Sequence, residues 1–381
     1  MMTIVSENSR SYIEDVKKLA EIFAGRANQV DEEATFPYEN FEEIKESGLL
    51  SLTVPKEYGG SGINLVEFLQ VQQQLAKGDG PTALSLGWQL GVILEQAENR
   101  NWSKANFEKV SRLIVEEKAL INLAQTEKAT GSPSRGGIPT TIAKKEQNGW
   151  RINGAKSFTS MAVALDYSIV TVDVNQTGTK GYVLIDHSLP GVKVKETWDS
   201  ISMRATKSDD LILENVFVSE DALLFEETPQ KPFPKGWYLQ IPAVYLGIAE
   251  AARDYAIEFA SNFQPITLPH PIKEVPEVRR KIGEIELELV KAREVLYGVA
   301  TKWVEQPENR SQLGAELQAA KHIVTNSANT IVDLAMRIVG ARSLSAKNPL
   351  QRHFRDVRAG LHNPPTDDAI VYNLAKNVLD S

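Results

Sequence analysis

Cysteine is absent from the 381 residues, which removes disulfides, thiolate metal sites, iron–sulfur clusters and cysteine nucleophiles together. The five histidines are His187, His270, His322, His353 and His362. No two lie three or four positions apart, so no helical pair of metal ligands exists and no metal site is expected. The groups left to act on a small molecule are hydroxyls and an imidazole. They are Thr126 and Ser132 in Gln125-Thr126-Glu127-Lys128-Ala129-Thr130-Gly131-Ser132, Ser160 beside the aromatic Phe158, and His362 in His362-Asn363-Pro364. By local pattern alone Thr126 and Ser132 close turns, Phe158 is a core ring and His362 is a loop histidine bonded to backbone. Lys and Arg number 42 against 50 Asp and Glu, a net of −8, which argues against a nucleic-acid partner.

Three zones of different period must position these groups. In residues 1–118, Tyr12, Val16, Leu19, Phe23 and Ala27 recur every three or four positions, which predicts a helix with one buried face. Helical segments follow at 42–50 and 65–76, separated by the turn residues Pro55, Gly59, Gly60 and Gly62. In residues 119–225 the pattern changes to short β-branched runs at 141–143, 150–152, 168–172, 182–185, 192–194 and 211–213. Asn148-Gly149, Asn153-Gly154, Thr177-Gly178 and Pro190-Gly191 separate them, which predicts a small antiparallel sheet or barrel. In residues 226–381, Ile282, Ile285, Leu289, Ala292, Leu296, Val299 and Trp303 form one long apolar stripe, and Leu317 to Ile338 carries a second. Four prolines between Asn262 and Pro276 interrupt the helical zone. No window reaches the ~18 apolar residues of a membrane-spanning helix, no signal peptide is visible, and a cytoplasmic location is expected.

Helices, a small β domain and a helical bundle, with five local strings in the same order, resemble the acyl-CoA dehydrogenase superfamily. Gly48-Leu49-Leu50 with Pro55 to Gly62 resembles its "G-L…P-x-x-x-G-G-x-G", and Gln125 to Ser132 its "T-E-P-x-x-G-S-D". Trp150 to Ser160 resembles "W-x-I-N-G-x-K-x-W-I-T/S", and Met203 to Ser208 with Leu213 to Val218 resembles "G-x-R-x-[ST]-x-[ST]…F-E-[DN]-V-x-V". Gly340, Pro349 to Arg352 and Arg355 to Arg358 resemble the closing "G-G…P-[LV]-x-R-x-x-R-D-x-R". The resemblance implies an N-terminal α-helical domain, a central small antiparallel β domain or barrel, and a C-terminal four-helix bundle. It implies a flavin between the β domain and the bundle, FAD by family default. Leu123, Gln125 and Thr126 would meet the pyrimidine edge of the ring, Phe158 would flank it, Ser160 would lie near N5, and Ser132 would approach phosphate or substrate. Reduced flavin carries negative charge near N1 and O2, which preorganised donors stabilise. A small-molecule substrate, a homotetramer, and a separate flavin reductase or electron-transfer flavoprotein as partner are also implied.

The chain departs from the dehydrogenase pattern at the base. Removal of the α-proton needs a carboxylate over the ring, and a gapless alignment puts Pro364 at that position. A subset of the family takes its base from an earlier helix, near Trp237 here, yet no Asp or Glu occurs between Thr228 and Ala249. Asp367 or Asp368 would substitute after a shift of the loop. A second departure puts Phe259 where an Arg meets the FAD diphosphate, which makes FMN the alternative cofactor, while Arg337, in place of a Gln, would compensate as a cofactor-binding residue. Gln351 to Pro364 resembles "Q-R-x-x-R-D-x-R-x-x-x-H-[DN]-P" of the branch that uses reduced flavin and oxygen on aromatic or sulfur-containing substrates. There His362 and Ser160 would shield and hydrogen-bond the reacting oxygen. Arg355, Asp356 and Arg358 read as an ion-pair set holding the last turn. Dehydrogenation of an acyl-CoA and a non-catalytic binding role are the alternatives. Trp88 to Ile93 with Pro232 to Tyr245 would form an apolar, aromatic pocket lining.

Overall fold

A computed structural model describes residues 7–131, 137–227 and 233–380. Five helices open the chain: α1 (Glu7–Glu33), α2 (Tyr38–Ser47), α3 (Leu65–Gly78), α4 (Gly80–Asn99) and α5 (Lys104–Val115). Asn64 starts α3 with a capping box, its side chain accepting from Glu67 N at 3.1 Å while Glu67 accepts from Asn64 N at 3.0 Å. A single residue, Asp79, ends α3 and caps α4 by accepting from Thr82 N at 3.0 Å. The α1 stripe is real: Val16, Phe23 and Ala27 are buried.

Eight strands follow: β1 (Ile121–Ala124), β2 (Ile142–Glu146), β3 (Gly149–Thr159), β4 (Tyr167–Val174), β5 (Thr179–Asp186), β6 (Val192–Lys195), β7 (Asp209–Ser219) and β8 (Leu223–Glu226). They form one sheet in the order β6-β7-β3-β2-β4-β5-β8, with β1 on β4. The expected antiparallel sheet is mixed. Both β1 and β2 run parallel to β4, β1 beside Tyr167–Val170 and β2 beside Asp173 and Val174. Two strands thus share successive halves of β4, and the described residues 125–131 and 137–141 lie between them outside the strands. The periodic runs anticipated β2 to β7, including the four-residue β6 with its alternating Val-Lys-Val-Lys, but not β1 or β8, which carry no such alternation.

The bundle comprises α6 (Gln240–Asn262), α7 (Pro276–Glu305), α8 (Gly314–Val339) and α9 (Pro349–His362), with α10 (Asp367–Leu379) last. Ile285, Leu289, Ala292, Leu296, Val299 and Trp303 are buried as the stripe requires. One apolar core runs from α1 and α3 through α6, α7 and α8, and a second fills the sheet around Trp150, Ile152, Val170, Val183 and Leu211. The proline-rich segment between α6 and α7 holds a single 3₁₀ turn at Ile272–Glu274. Among the described residues no helix is long and apolar enough to cross a membrane.

The crossing of α1 and α3 is tight enough to test. A Cβ on Gly78 would lie 2.0 Å from the Ala20 carbonyl oxygen, so backbone must move to admit it. Gly78→Ala is expected to destabilise the protein by about 2 kcal/mol, the cost of overpacking, read as a lower urea midpoint with unchanged slope.

Candidate functional site

Strand β3 breaks its pairing with β7 between Lys156 and Thr159. Such a bulge re-aims the side chains that follow it. Phe158 takes a positive φ of 55° and points outward, 65% exposed. It is therefore not a core ring. The indole of Trp198 packs edge-on against it, with centroids 5.9 Å apart at 80°. Ser157 N donates to Thr126 O at 2.8 Å, which docks the Gln125-Thr126 segment on this bulge as it leaves the sheet after β1. Thr126 and Ser160 thus belong to one locality.

Ser160 is buried and heads a hydroxyl chain. Its Oγ lies 2.9 Å from Ser208 Oγ, which lies 2.8 Å from Thr206 Oγ1. Asn122 on β1 donates to Ser160 O at 2.8 Å and accepts from Leu123 N at 2.7 Å. Gln89 of α4 fixes the start of β1 by accepting from Ile121 N at 2.9 Å. Among the described residues the side chains of Gln125 and Thr126 have no hydrogen-bond partner, and buried Thr159 Oγ1 has none either.

Beneath this row sits a buried ion pair, Lys156 Nζ to Glu127 Oε1 at 2.5 Å, with side chains 0% and 3% exposed. Thr140 and Thr141 each give Glu127 a backbone and a hydroxyl donor, and Lys156 also donates to Thr171 at 3.1 Å. Burial pushes the Glu127 pKa up, but the bonds from Lys156 and Thr140, with Thr141, outweigh it and hold the group at about 2. This pair was missed in the sequence. Its signal is the alternation Trp150, Ile152, Lys156 on the inner face of β3, which buries a charge and demands a partner.

On the helical side the candidates separate. His362 is exposed on the last turn of α9, and no hydrogen bond joins it to Ser160 among the described residues. Its neighbour Asn363 accepts from the buried Tyr245 hydroxyl of α6. Asp367, at the start of α10, accepts from Asn326 at 2.8 Å and lies 3.4 Å from Lys321 Nζ and 3.3 Å from His322 Nδ1. Burial raises its pKa, but Asn326, Lys321 and His322 outweigh that and leave it below the usual value. Glu250 of α6 pairs with Arg293 and Gln73. Arg337 is exposed and paired with Asp333 on its own helix at 2.7 Å. Phe259 stacks on Phe263, over which the Arg342 guanidinium lies at 4.3 Å. Arg355, Asp356 and Arg358 do not form one ion-pair set. Arg355 pairs with Asp31 of α1, Asp356 accepts from Met203 N, and Arg358 lies over the Phe354 ring. Ser132 and Pro232 lie outside the described residues. Trp88 and Trp237 meet edge-on at 5.9 Å, and the Trp237 indole donates to Glu95 at 2.8 Å.

Three family models match in order: "Acyl-CoA dehydrogenase, N-terminal domain" at residues 6–99, "middle domain" at 122–216 and "C-terminal domain" at 239–363. The chain belongs to the acyl-CoA dehydrogenase family. It is 47% identical over 379 residues to "Putative acyl-CoA dehydrogenase YdbM" of Bacillus subtilis, covering 99% of each chain. It is 29% identical over 355 residues to "Dibenzothiophene monooxygenase" of Rhodococcus erythropolis, covering 85% of this chain and 82% of that one. The crystal structure of TdsC from Paenibacillus sp. A11-2 with FMN and indole superposes with a TM-score of 0.86 at 25% identity, covering 97% of both chains. The family is one of flavin-dependent oxidoreductases, and both dehydrogenases and monooxygenases stand among the relatives of this chain.

The residues present fit a flavin ring. An exposed aromatic face, the unpartnered polar side chains of Gln125 and Thr126, the orphaned Thr159 hydroxyl and an anchored Ser160 hydroxyl together offer a flat ligand apolar cover and hydrogen bonds along one edge. The stability supplied by the ionised Glu127 should be fully present above pH ~4.5 and be lost as pH falls towards 2, because its folded pKa lies below the unfolded value. Urea unfolding at stepped pH is expected to show this decline, and Glu127→Gln to lack that part of it.

Proposed function

We propose that this protein is a monooxygenase that takes reduced flavin and oxygen to a sulfur-containing or aromatic small molecule. The observation that supports this reading above others is the employment of the carboxylates on the bundle side. Pro364 stands where the dehydrogenase base belongs. Glu250 is held by Arg293, and Asp367 is held by Lys321, His322 and Asn326. A carboxylate that already accepts several bonds and is stabilised in its ionised form is a poor base for a weakly acidic carbon. The likeness to dibenzothiophene monooxygenase and to TdsC with FMN supports the same reading.

When bound, the flavin supplies the electrons and the site of oxygen activation. The residues of this chain do the rest. Phe158 and Trp198 cover the ring and exclude water, which strengthens every polar contact inside. Gln125 and Thr126 give donors to the ring edge where negative charge collects. Ser160, its oxygen fixed by Ser208, holds a proton donor at the reacting face. His362, exposed at the end of α9, is proposed to complete that face as a second donor. Phe259 stands where the resemblance puts an arginine at the FAD diphosphate, which favours FMN. A second reading, α,β-dehydrogenation of an acyl-CoA with FAD, is favoured by the 47% identity to a putative acyl-CoA dehydrogenase.

Two measurements separate these readings. With a flavin reductase, NADH, FMN and air, the purified protein is expected to convert an alkyl aryl sulfide to its sulfoxide, detected by mass spectrometry. Anaerobic mixing of the flavin-loaded protein with acyl-CoAs is expected to leave the visible flavin absorbance unchanged. Bleaching by an acyl-CoA, with no oxygenated product, would replace the monooxygenase by the dehydrogenase. Ser160→Ala is expected to lower the oxygenation rate by about a hundredfold, the usual effect of removing one preorganised donor.

A further inference from the structure

The backbone of one residue ties the bundle to the β-domain side of the site. The segment between β6 and β7 places Met203 in the left-handed region, φ 52°, although it is not glycine. That conformation is unfavourable for a residue with a Cβ and persists only where the surroundings impose it. Here both ends of the residue are held. Met203 N donates to Asp356 Oδ1 of α9 at 2.7 Å. Met203 O accepts from Trp198 Nε1 at 3.2 Å and from Thr206 Oγ1 at 3.0 Å. Trp198 is the ring against Phe158, and Thr206 is the far end of the hydroxyl chain that reaches Ser160 through Ser208. Two further bonds fasten α9 to the same loop, Arg355 Nη1 to Ile201 O at 2.6 Å and Ser202 Oγ to Asp356 O at 3.3 Å.

We propose that Asp356 is a positioning residue: from the C-terminal bundle it fixes the backbone of Met203, and through that residue it sets both the Phe158 ring and the Ser160 hydroxyl. This rests on the flavin site proposed above. Asp356 touches neither side chain and would act only through Met203. Its environment suits an acceptor rather than a charge. It is buried, with Arg352 on its own helix, Asp79 at the start of α4 and Asp31 on α1 as its charged neighbours. Burial pushes its pKa up to about 7, against the pull of Arg352 and the Met203 N–H. An uncharged oxygen in the same place therefore serves as well as a carboxylate.

The experiment uses the full chain without flavin, then titrated with FMN. Asp356→Ala is expected to speed amide hydrogen exchange in segment 157–161 and to weaken FMN binding by about tenfold, since a buried donor loses its acceptor. Asp356→Asn, which keeps an acceptor oxygen, is expected to restore both to wild-type values. A purely structural role predicts a lower melting temperature with unchanged FMN affinity and unchanged exchange at 157–161, and that result overturns the proposal. If Asp356→Ala does not fold, Asp356→Leu, which fills the volume without an acceptor, takes its place, and unchanged FMN affinity with unchanged exchange at 157–161 is again the overturning result. If the wild type binds neither FMN nor FAD, the flavin reading fails, while hydrogen exchange at 157–161 still decides the link from Asp356.

Discussion

A lysine ammonium with no exposed surface is the constraint on which the β-domain side of the site depends. Lys156 and Glu127 are both out of water, and an isolated charge there would cost several kcal/mol. The arrangement survives because Glu127 accepts from Thr140, Thr141 and Lys156 together, and Lys156 finds Thr171 as well. Those partners come from three stretches of chain. Satisfying the pair therefore fixes the chain just after β1, at Glu127, against the chain just before β2, at Thr140 and Thr141. Gln125 and Thr126 follow β1 directly, freed from ladder pairing yet docked on the bulge by the bond from Ser157 to Thr126.

The bulge in β3 converts that anchoring into a site. In a regular strand, alternation would send Phe158 and Ser160 to the same face of the sheet. The extra turn of backbone at Phe158 breaks the alternation, so its ring faces outward while Ser160 is buried beside Ser208. The sheet topology contributes equally. Because β1 and β2 share one edge of β4 in succession, the gap between them lies beside the bulge, and polar groups gather there without mutual partners. Unpartnered polar atoms next to an uncovered aromatic ring are the physical requirement for recognising a flat heterocycle.

On the helical side the same economy of charge works in the opposite direction. Of the acidic residues on the helical side, Glu250 joins α6 to α7 and α3, and Asp367 joins α10 to α8, while Asp368 is exposed. Buried or paired carboxylates that hold a fold are unavailable to move protons, because releasing them would leave their cationic partners uncompensated. The bundle thus contributes scaffold and aromatic walls, and the polar groups gathered at the site come chiefly from the β domain.

Periodicity alone determined the helix–sheet–helix order, the α1 and α7 stripes and strands β2 to β7, since burial of one face imposes a repeat that any reader of the chain can count. Motif order singled out Thr126, Phe158 and Ser160 as candidates, and the lack of a carboxylate at Pro364 was legible without coordinates. The parallel pairing of β1, the outward turn of Phe158, and the Asn122, Trp198, Thr206 and Ser208 contacts were decided only by tertiary structure. Strand β1 carries no alternation, a bulge is a backbone event with no fixed residue signature, and hydrogen bonds between segments as far apart as Arg355 and Asp31, 324 positions, leave no local trace. Even the closing Arg355-Asp356-Val357-Arg358, which reads as one ion-pair set, divides its partners among α1, the Met203 loop and Phe354. A helix points successive side chains in different directions, so adjacency in the chain does not make them neighbours in space.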